Sequence, residues 1–377
     1  MMLIDIEKNI RKMNSSCSLN ANKIDNASGE TDIAAYWKTH FYKILNSNVH
    51  NEDLKRNIMD RLDHIQYETN MSISSVEISQ IINKLKCGKS SGPDGLSAEY
   101  LKFAHNKVCI MIALCFSACI VHGYLPASMI ETTIVPIIKN KCGDLSDSNN
   151  YRPIALTTIM SKVFESVLLF KCEKYLYTCD NQFGFKSEHS MNLCIYTLSE
   201  LIDFYKKRNT TVFVTFLDAS KAFDRIDHWL LFDKLLARNI PLFIIRIFIF
   251  WYSQQSMCIR WGNTLSASFK VTNGVKQGGI LSPTLFNVYM DNLSVLLNSS
   301  NIGGKIGDQL INHLCYADDL CLISLSSAGM QQLLHICNQY AAVHHLLYNG
   351  LKSFSMCFKP KTIKFNQPDF YLELYPV

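Results

Sequence analysis

Charge of either sign is scarce in this chain. Lysine, arginine, aspartate and glutamate make up 18% of 377 residues, and 37 basic against 32 acidic side chains leave a formal charge of +5. That balance permits a polyanionic partner without requiring one. Internal repeats and low-complexity tracts are missing, which excludes repeat architectures and biased linkers. Long apolar runs are missing too. The two longest, 108–121 and 240–252, fall short of a bilayer span, and the second contains Arg246. Both read as core helices, and no membrane partner is expected. The 14 cysteines include no CxxC pair and are scattered through apolar segments such as "IALCFSACIV". They read as small hydrophobes in a reducing compartment. The start, "MMLIDIEKNIRKMN", places charges where a signal peptide needs an apolar stretch. No basic localisation run is evident, so the expected setting is intracellular, nucleus or cytoplasm.

The chain does have enough apolar residues, 48%, for one large domain or two to three subdomains without staples. Residues 1–72 read as a polar, Asn-rich extension with an amphipathic helix around Ile33 to Leu45 and no recognisable chemistry. From Ser74, "SSVEISQIINKLK" has helical spacing behind a Ser cap. It runs into the Gly/Pro turn of "GKSSGPDGLSAEYLK", which reopens as a helix at Ser97. "TTIVPIIKN" predicts a short strand ending near Lys139, and the segment at Pro153 leads into a long helix. "TVFVTFLD", rich in β-branched and aromatic residues, predicts a buried strand ending at Asp218 and handing over to one helix, "KAFDRIDHWLLFDKLLARN". "GVKQGGILSPTLFNVYMDNLSVLL" predicts a Gly-rich loop followed by a helix with Ser282 as N-cap and Pro283 at the first position. "INHLCYADDLCLISL" fits a hairpin whose turn holds two Asp residues, and a last helix is expected to end near Tyr348. Strands and helices mix without strict βαβ alternation, which argues for an α+β class with an antiparallel sheet packed on helices.

The chemistry starts at "CYADDLCL". Adjacent carboxylates repel, and flanking Leu320, Leu322 and Ile323 favour burial. A solvated turn and a cation site both explain the pair. A third carboxylate, Asp218 at a strand end, shifts the balance, although alone it reads equally as a helix N-cap. Three carboxylates at one sheet edge make a hard, all-oxygen site that selects Mg²⁺ or Mn²⁺ over Zn²⁺. Such sites suit two-metal phosphoryl transfer.

"FLDASKAFDRIDH", "NGVKQGGILSPTLFNVYMDNL" and "CYADDL", in this order and at these separations, resemble reverse transcriptases, most closely those of non-LTR (LINE-type) retrotransposons. "LKCGKSSGPDGLSAEYLK", "IVPIIKN", "NYRPIALTTIMSKVFE" and "NQFGFKSEHS" look like that family's fingers motifs. The resemblance covers roughly residues 75 to 355. A group II intron maturase has a related palm, but the GPDG-type entry and "LDASKAFD" fit LINE elements better.

The resemblance implies a right-hand polymerase, with fingers about 73–205, palm about 206–355 and a tail, 356–377, toward a missing thumb. It implies two Mg²⁺ ions on Asp218, Asp318 and Asp319, with Asp319 the less constant ligand. Phe223 matches the aromatic gate against a ribose 2′-hydroxyl, against a background of ordinary helix packing. An RNA-dependent RNA polymerase is disfavoured by that residue. Lys139 and Arg152 match residues that grip the incoming triphosphate, a role suited to long cationic donors. Gln277 and Gly278 match the loop that packs on the template base and incoming nucleotide. Tyr316 and Ala317 would lie at the primer end, and Lys352 matches a general acid for the pyrophosphate. The implied partners are an RNA template, a DNA primer and dNTP; the oligomeric state is open. Lys186 stands where Arg is commoner, and Leu351 where a polar or basic residue is usual. With neither thumb nor upstream endonuclease evident, the chain reads as a fingers-and-palm fragment of a longer element. The alternative is a catalytically silent remnant that only binds nucleic acid.

Overall fold

Val212–Asp218 alternates two buried faces, and this alternation organises the chain. The computed structural model describes residues 21–48, 50–63, 71–360, 368–372 and 375–376. Its longer elements are α1 (Glu30–Leu45), α2 (Ser75–Lys84), α3 (Lys107–His122), β1 (Thr132–Ile138), β2 (Tyr151–Leu156), α4 (Ile159–Cys172), α5 (Met191–Lys206) and β3 (Val212–Asp218). There follow α6 (His228–Ala237), α7 (Leu242–Gln254), β4 (Ser256–Trp261), α8 (Ser282–Ser299), β5 (His313–Tyr316), β6 (Asp319–Ser324), α9 (Ser327–Val343) and β7 (Phe354–Phe358).

The central sheet runs β5-β6-β3-β7, each neighbour antiparallel. Side chains alternate across a strand. Val212, Val214, Cys321 and Ile323 therefore join one cluster with Leu201 and Ile202 of α5. Phe213, Leu217, Leu320 and Leu322 enter the main core with α8 and α9. Burial on both faces explains why these strands read as near-continuous apolar runs.

A second sheet pairs β2 with β1 antiparallel and β1 with β4 in parallel, so the antiparallel expectation holds for the central sheet and not throughout. Its core is aromatic. Trp37 of α1 is fully buried, stacked on Phe41 and packed against Tyr151 and Trp261. This helix lies within the stretch read as a polar extension, yet it closes one side of the second sheet.

Local signals explain the element ends. Ser74 caps α2 as expected, and Glu77 makes the cap reciprocal, each side chain bonded to the other's backbone N–H. Three expectations shift. The segment from Lys221 is a short 3-10 turn, Ala222–Arg225, followed by a separate helix. Asp227 starts that helix by accepting from the N–H groups of Trp229 and Leu230. At α8, Ser282 is already helical. The N-cap position is Leu281, which no side chain caps, while buried Glu165 of α4 accepts from the N–H groups of Ile280 and Leu281 in the turn just before the helix. Finally, α9 stops at Val343 because His345 turns left-handed (φ 55) and the Leu346 N–H closes back on the Ala341 carbonyl.

Candidate active site

The β5–β6 turn is tighter than expected. Tyr316 pairs with Asp319, so only Ala317 and Asp318 form the turn and Asp319 already belongs to β6. On the other side of β6, Asp319 lies directly opposite Asp218. Directly opposed residues emerge on the same sheet face, and like charges in that position destabilise a sheet. Asp319 is exposed and Asp318 partly so. Burial pushes the Asp318 carboxyl above its ordinary range, reinforced by the Asp319 and Asp218 charges and opposed by Arg152. Asp319 is pushed upward by burial and by Asp218. A group raised in the fold contributes its stability below its unfolded pKa and loses it as pH rises, so ionising these carboxylates costs free energy.

A cation would relieve that cost, and the donors are all hard oxygens. Among the described residues, no three His, Cys, Asp or Glu side chains are gathered into a ready-made cage. The three carboxylates expected to converge at one sheet edge are therefore not gathered closely enough to form a ready-made metal site.

Cations face the carboxylates from two directions. Lys352 approaches Asp218 to 4.0 Å. It is carried on the Asn349–Ser353 turn, where the Asn349 N–H donates to the Asp218 carbonyl and the Asp218 N–H donates to Ser353 Oγ at 3.2 Å. Lys139 and Arg152, both exposed, come from the second sheet. The Lys139 Nζ donates to the Asn149 carbonyl at 2.7 Å, and its pKa is lowered by burial, then by Lys352, Arg152 and Lys221. Lys139 thus senses three other cations, Lys352, Arg152 and Lys221.

Gln277 and Gly278 lie where the second sheet meets this site. The Ala155 N–H of β2 donates to the Gln277 carbonyl at 2.8 Å. Gly278 is exposed with φ 107, and an added Cβ would lie 3.2 Å from the Ala155 carbonyl oxygen. Only glycine takes that backbone angle without strain. The Gln277 carboxamide turns away from the open face and donates to Asp224 Oδ1 at 2.8 Å. Phe223 stacks flat on Phe286, with ring centroids 4.4 Å apart and 6° between planes, while Phe185 approaches edge-on. Tyr316 is half-buried against the α5-facing cluster.

Two further residues emerge from the structure alone. Gln182, inside "NQFGFKSEHS", holds Ala317, and Asp224, inside "KAFDRIDH", holds Gln277. A polar residue inside each motif was the available signal. Asp224 is 4% exposed, and burial raises its pKa to about 6, against the pull of Gln277, Lys221, Lys139 and Arg225. Being raised, it contributes stability below about pH 4 and loses it as pH rises through about 6. Asp224→Asn, whose oxygen can still accept from Gln277, is therefore expected to stabilise the protein by about 1–3 kcal/mol at pH 8. The gain should vanish near pH 4. Denaturant titrations at both pH values check this; a destabilised variant at pH 8 would mean that the three cations fully compensate the charge.

Comparison with known proteins adds a second line of evidence. Residues 138–366 match the family model described as reverse transcriptase (RNA-dependent DNA polymerase). The chain is 26% identical over 279 residues to the Retrovirus-related Pol polyprotein from type-2 retrotransposable element R2DM of Drosophila melanogaster, covering 74% of the chain and 26% of that protein. It is 24% identical over 332 residues to the RNA-directed DNA polymerase from mobile element jockey of the same organism, covering 82% of the chain and 35% of the relative. A Popillia japonica R2 polyprotein is 28% identical over 237 residues, 62% of the chain and 33% of its own length. The chain thus spans about a third or less of these relatives.

Proposed function

Because the chain belongs to the reverse transcriptase (RNA-dependent DNA polymerase) family, we propose that it carries the nucleotidyl-transfer core of a non-LTR retrotransposon polymerase, extending a DNA primer with dNTPs on an RNA template. The family fold is a fingers-and-palm polymerase fold, and the observed mix of helices with an antiparallel central sheet agrees with it. In this reading the central sheet is the palm, and β1 and β2 of the second sheet belong to the fingers, paired there with β4 from the palm segment. The observation that carries it is the placement of Asp218 opposite Asp319, with Asp318 in the adjoining turn, Lys352 beside Asp218 and Arg152 near enough to act on Asp318.

Asp218, Asp318 and Asp319 would hold two Mg²⁺ ions, with Mn²⁺ as a substitute. When bound, such ions acidify an attacking hydroxyl and neutralise the triphosphate. Lys139 and Arg152 orient and neutralise the phosphates from the fingers side. Lys352 leaves its Asp218 contact to protonate the departing pyrophosphate. Gln277 and Gly278 present backbone to the nascent base pair, with Gln277 held by Asp224, while Tyr316 and Ala317 border the primer terminus. Phe223 closes the sugar pocket against a 2′-hydroxyl. An intracellular setting, nucleus or cytoplasm, belongs to the same reading. No described helix is long and apolar enough to cross a membrane.

Primer extension by the purified chain on an RNA template with Mg²⁺ tests the proposal. Template-dependent dNTP incorporation that EDTA abolishes is the expected result. No incorporation at high enzyme, together with salt-dependent nucleic-acid retention on filters, would support the silent remnant instead.

A further inference from the structure

Ala317 is the residue that turns the chain from β5 into Asp318, and it does so at φ 58. Left-handed backbone costs a non-glycine residue about 1–2 kcal/mol. Glycine, not alanine, is the usual first residue of a two-residue hairpin loop with positive φ at that position. Such a conformation persists only where its surroundings over-determine it.

The surroundings here are one side chain. Gln182, 5% exposed, accepts from the Ala317 N–H at 3.0 Å and donates through Nε2 to the Ala317 carbonyl at 3.2 Å. Both backbone polar groups of the left-handed residue are thus held by a single carboxamide. The Gln182 oxygen also accepts from the Gly184 N–H at 2.8 Å, which fixes the orientation of the amide. The segment bearing Gln182 is tied to β5 in turn: the Phe183 N–H donates to the Cys315 carbonyl and the Cys315 N–H to the Asn181 carbonyl, each at 2.8 Å. Gly184 lies so close that an added Cβ would come within 2.2 Å of the Ala317 nitrogen. Buried Asn287 of α8 holds Gly184 from behind, donating to its carbonyl at 2.9 Å.

We propose that Gln182 is a positioning residue for nucleotidyl transfer: it locks Ala317 in the left-handed conformation and so sets where the next residue, Asp318, presents its carboxylate. It touches no reacting atom. Its use of both ends of the amide makes the role specific to glutamine. Glutamate could accept from the two N–H groups but could not donate to the Ala317 carbonyl at neutral pH. The catalytic consequence rests on the polymerase reading above; the lock itself does not.

Gln182→Met and Gln182→Glu, each made in the native chain and in Ala317→Gly, test this by amide exchange at residue 317 and by steady-state primer extension. Losing the hydrogen bond should speed exchange of the Ala317 amide in Gln182→Met by about 5- to 10-fold. A misplaced carboxylate should lower kcat by about 10²-fold, with the KM for dNTP little changed. Gln182→Glu, with both accepted bonds kept, should lie between and serves if the methionine variant fails to fold. The sharpest readout is the Ala317→Gly background. Glycine adopts positive φ without cost, so loss of Gln182 should cost far less there. Equal losses in both backgrounds, or unchanged exchange at Ala317, would overturn the proposal. An inactive native chain would refute the polymerase reading, whereas exchange at Ala317 would still decide the lock.

Discussion

Asp318→Ala is expected to lower primer extension by at least about 10³-fold, since charge stabilisation worth several kcal/mol converts at 1.36 kcal/mol per decade. The folded state should not suffer. Asp318 is held above its ordinary pKa by burial and by two neighbouring carboxylates, so its removal relieves repulsion in the protein without substrate. The variant's melting temperature is expected to match or exceed that of the native chain at neutral and higher pH. Activity and stability would then move in opposite directions, as at sites where strain is retained for function. Asp319→Ala, at the exposed strand position, should cost less than Asp318→Ala. Primer extension with purified variants, alongside thermal melts, checks the ordering. Near-native extension by Asp318→Ala would remove this turn from the active site, and a large loss of stability would show that the carboxylate serves the fold.

Why some of this site was legible in the sequence and some was not follows from the range of the interactions. Asp218 was readable because β3, apart from Thr215, is apolar up to it and both of its faces are buried. Asp318 and Asp319 were readable for the same reason, since Leu320, Leu322 and Ile323 anchor the hairpin from both faces. Periodicity carries that information locally. The Gln182–Ala317 and Asp224–Gln277 contacts join residues 135 and 53 positions apart, and no local pattern encodes them. The helix boundaries tell the same story. Apolar spacing runs on through "KAFDRIDHWLLFDKLL", and what interrupts it is one Asp227 carboxylate turned to two backbone N–H groups. At α8 the sequence offers Ser282 beside Pro283, but the helix begins at Ser282 itself, and Glu165 from a separate helix holds the turn before it. The contribution of α1 was hidden because its stretch is polar overall, while its buried stripe, Ile33, Ala34, Trp37, Phe41 and Leu45, is narrow.

Phe223→Ala is expected to admit ribonucleotides, with discrimination between dCTP and CTP falling by about 10- to 10²-fold; an apolar pocket wall rejects one added hydroxyl by about that much. The ring can act as a wall because it cannot swing aside. Its face is pressed parallel to Phe286 at 4.4 Å, and Phe185, itself at φ 60, approaches its edge. The same packing explains why ordinary core burial and a gate were hard to separate in the sequence: one face of Phe223 is core and the remainder is accessible. Removing the ring leaves a cavity beside Phe286 and should destabilise the fold by about 1–3 kcal/mol, less than full Phe→Ala truncation in a closed core. Phe223→Tyr keeps the ring and its stacking, so it separates the two roles: its discrimination and stability should stay near native. Single-nucleotide incorporation with dCTP and CTP, read as the ratio of kcat/KM values, decides the matter. If Phe223→Ala loses stability yet still excludes CTP, the ring is packing alone, and selection of the sugar must come from the backbone around Ala222.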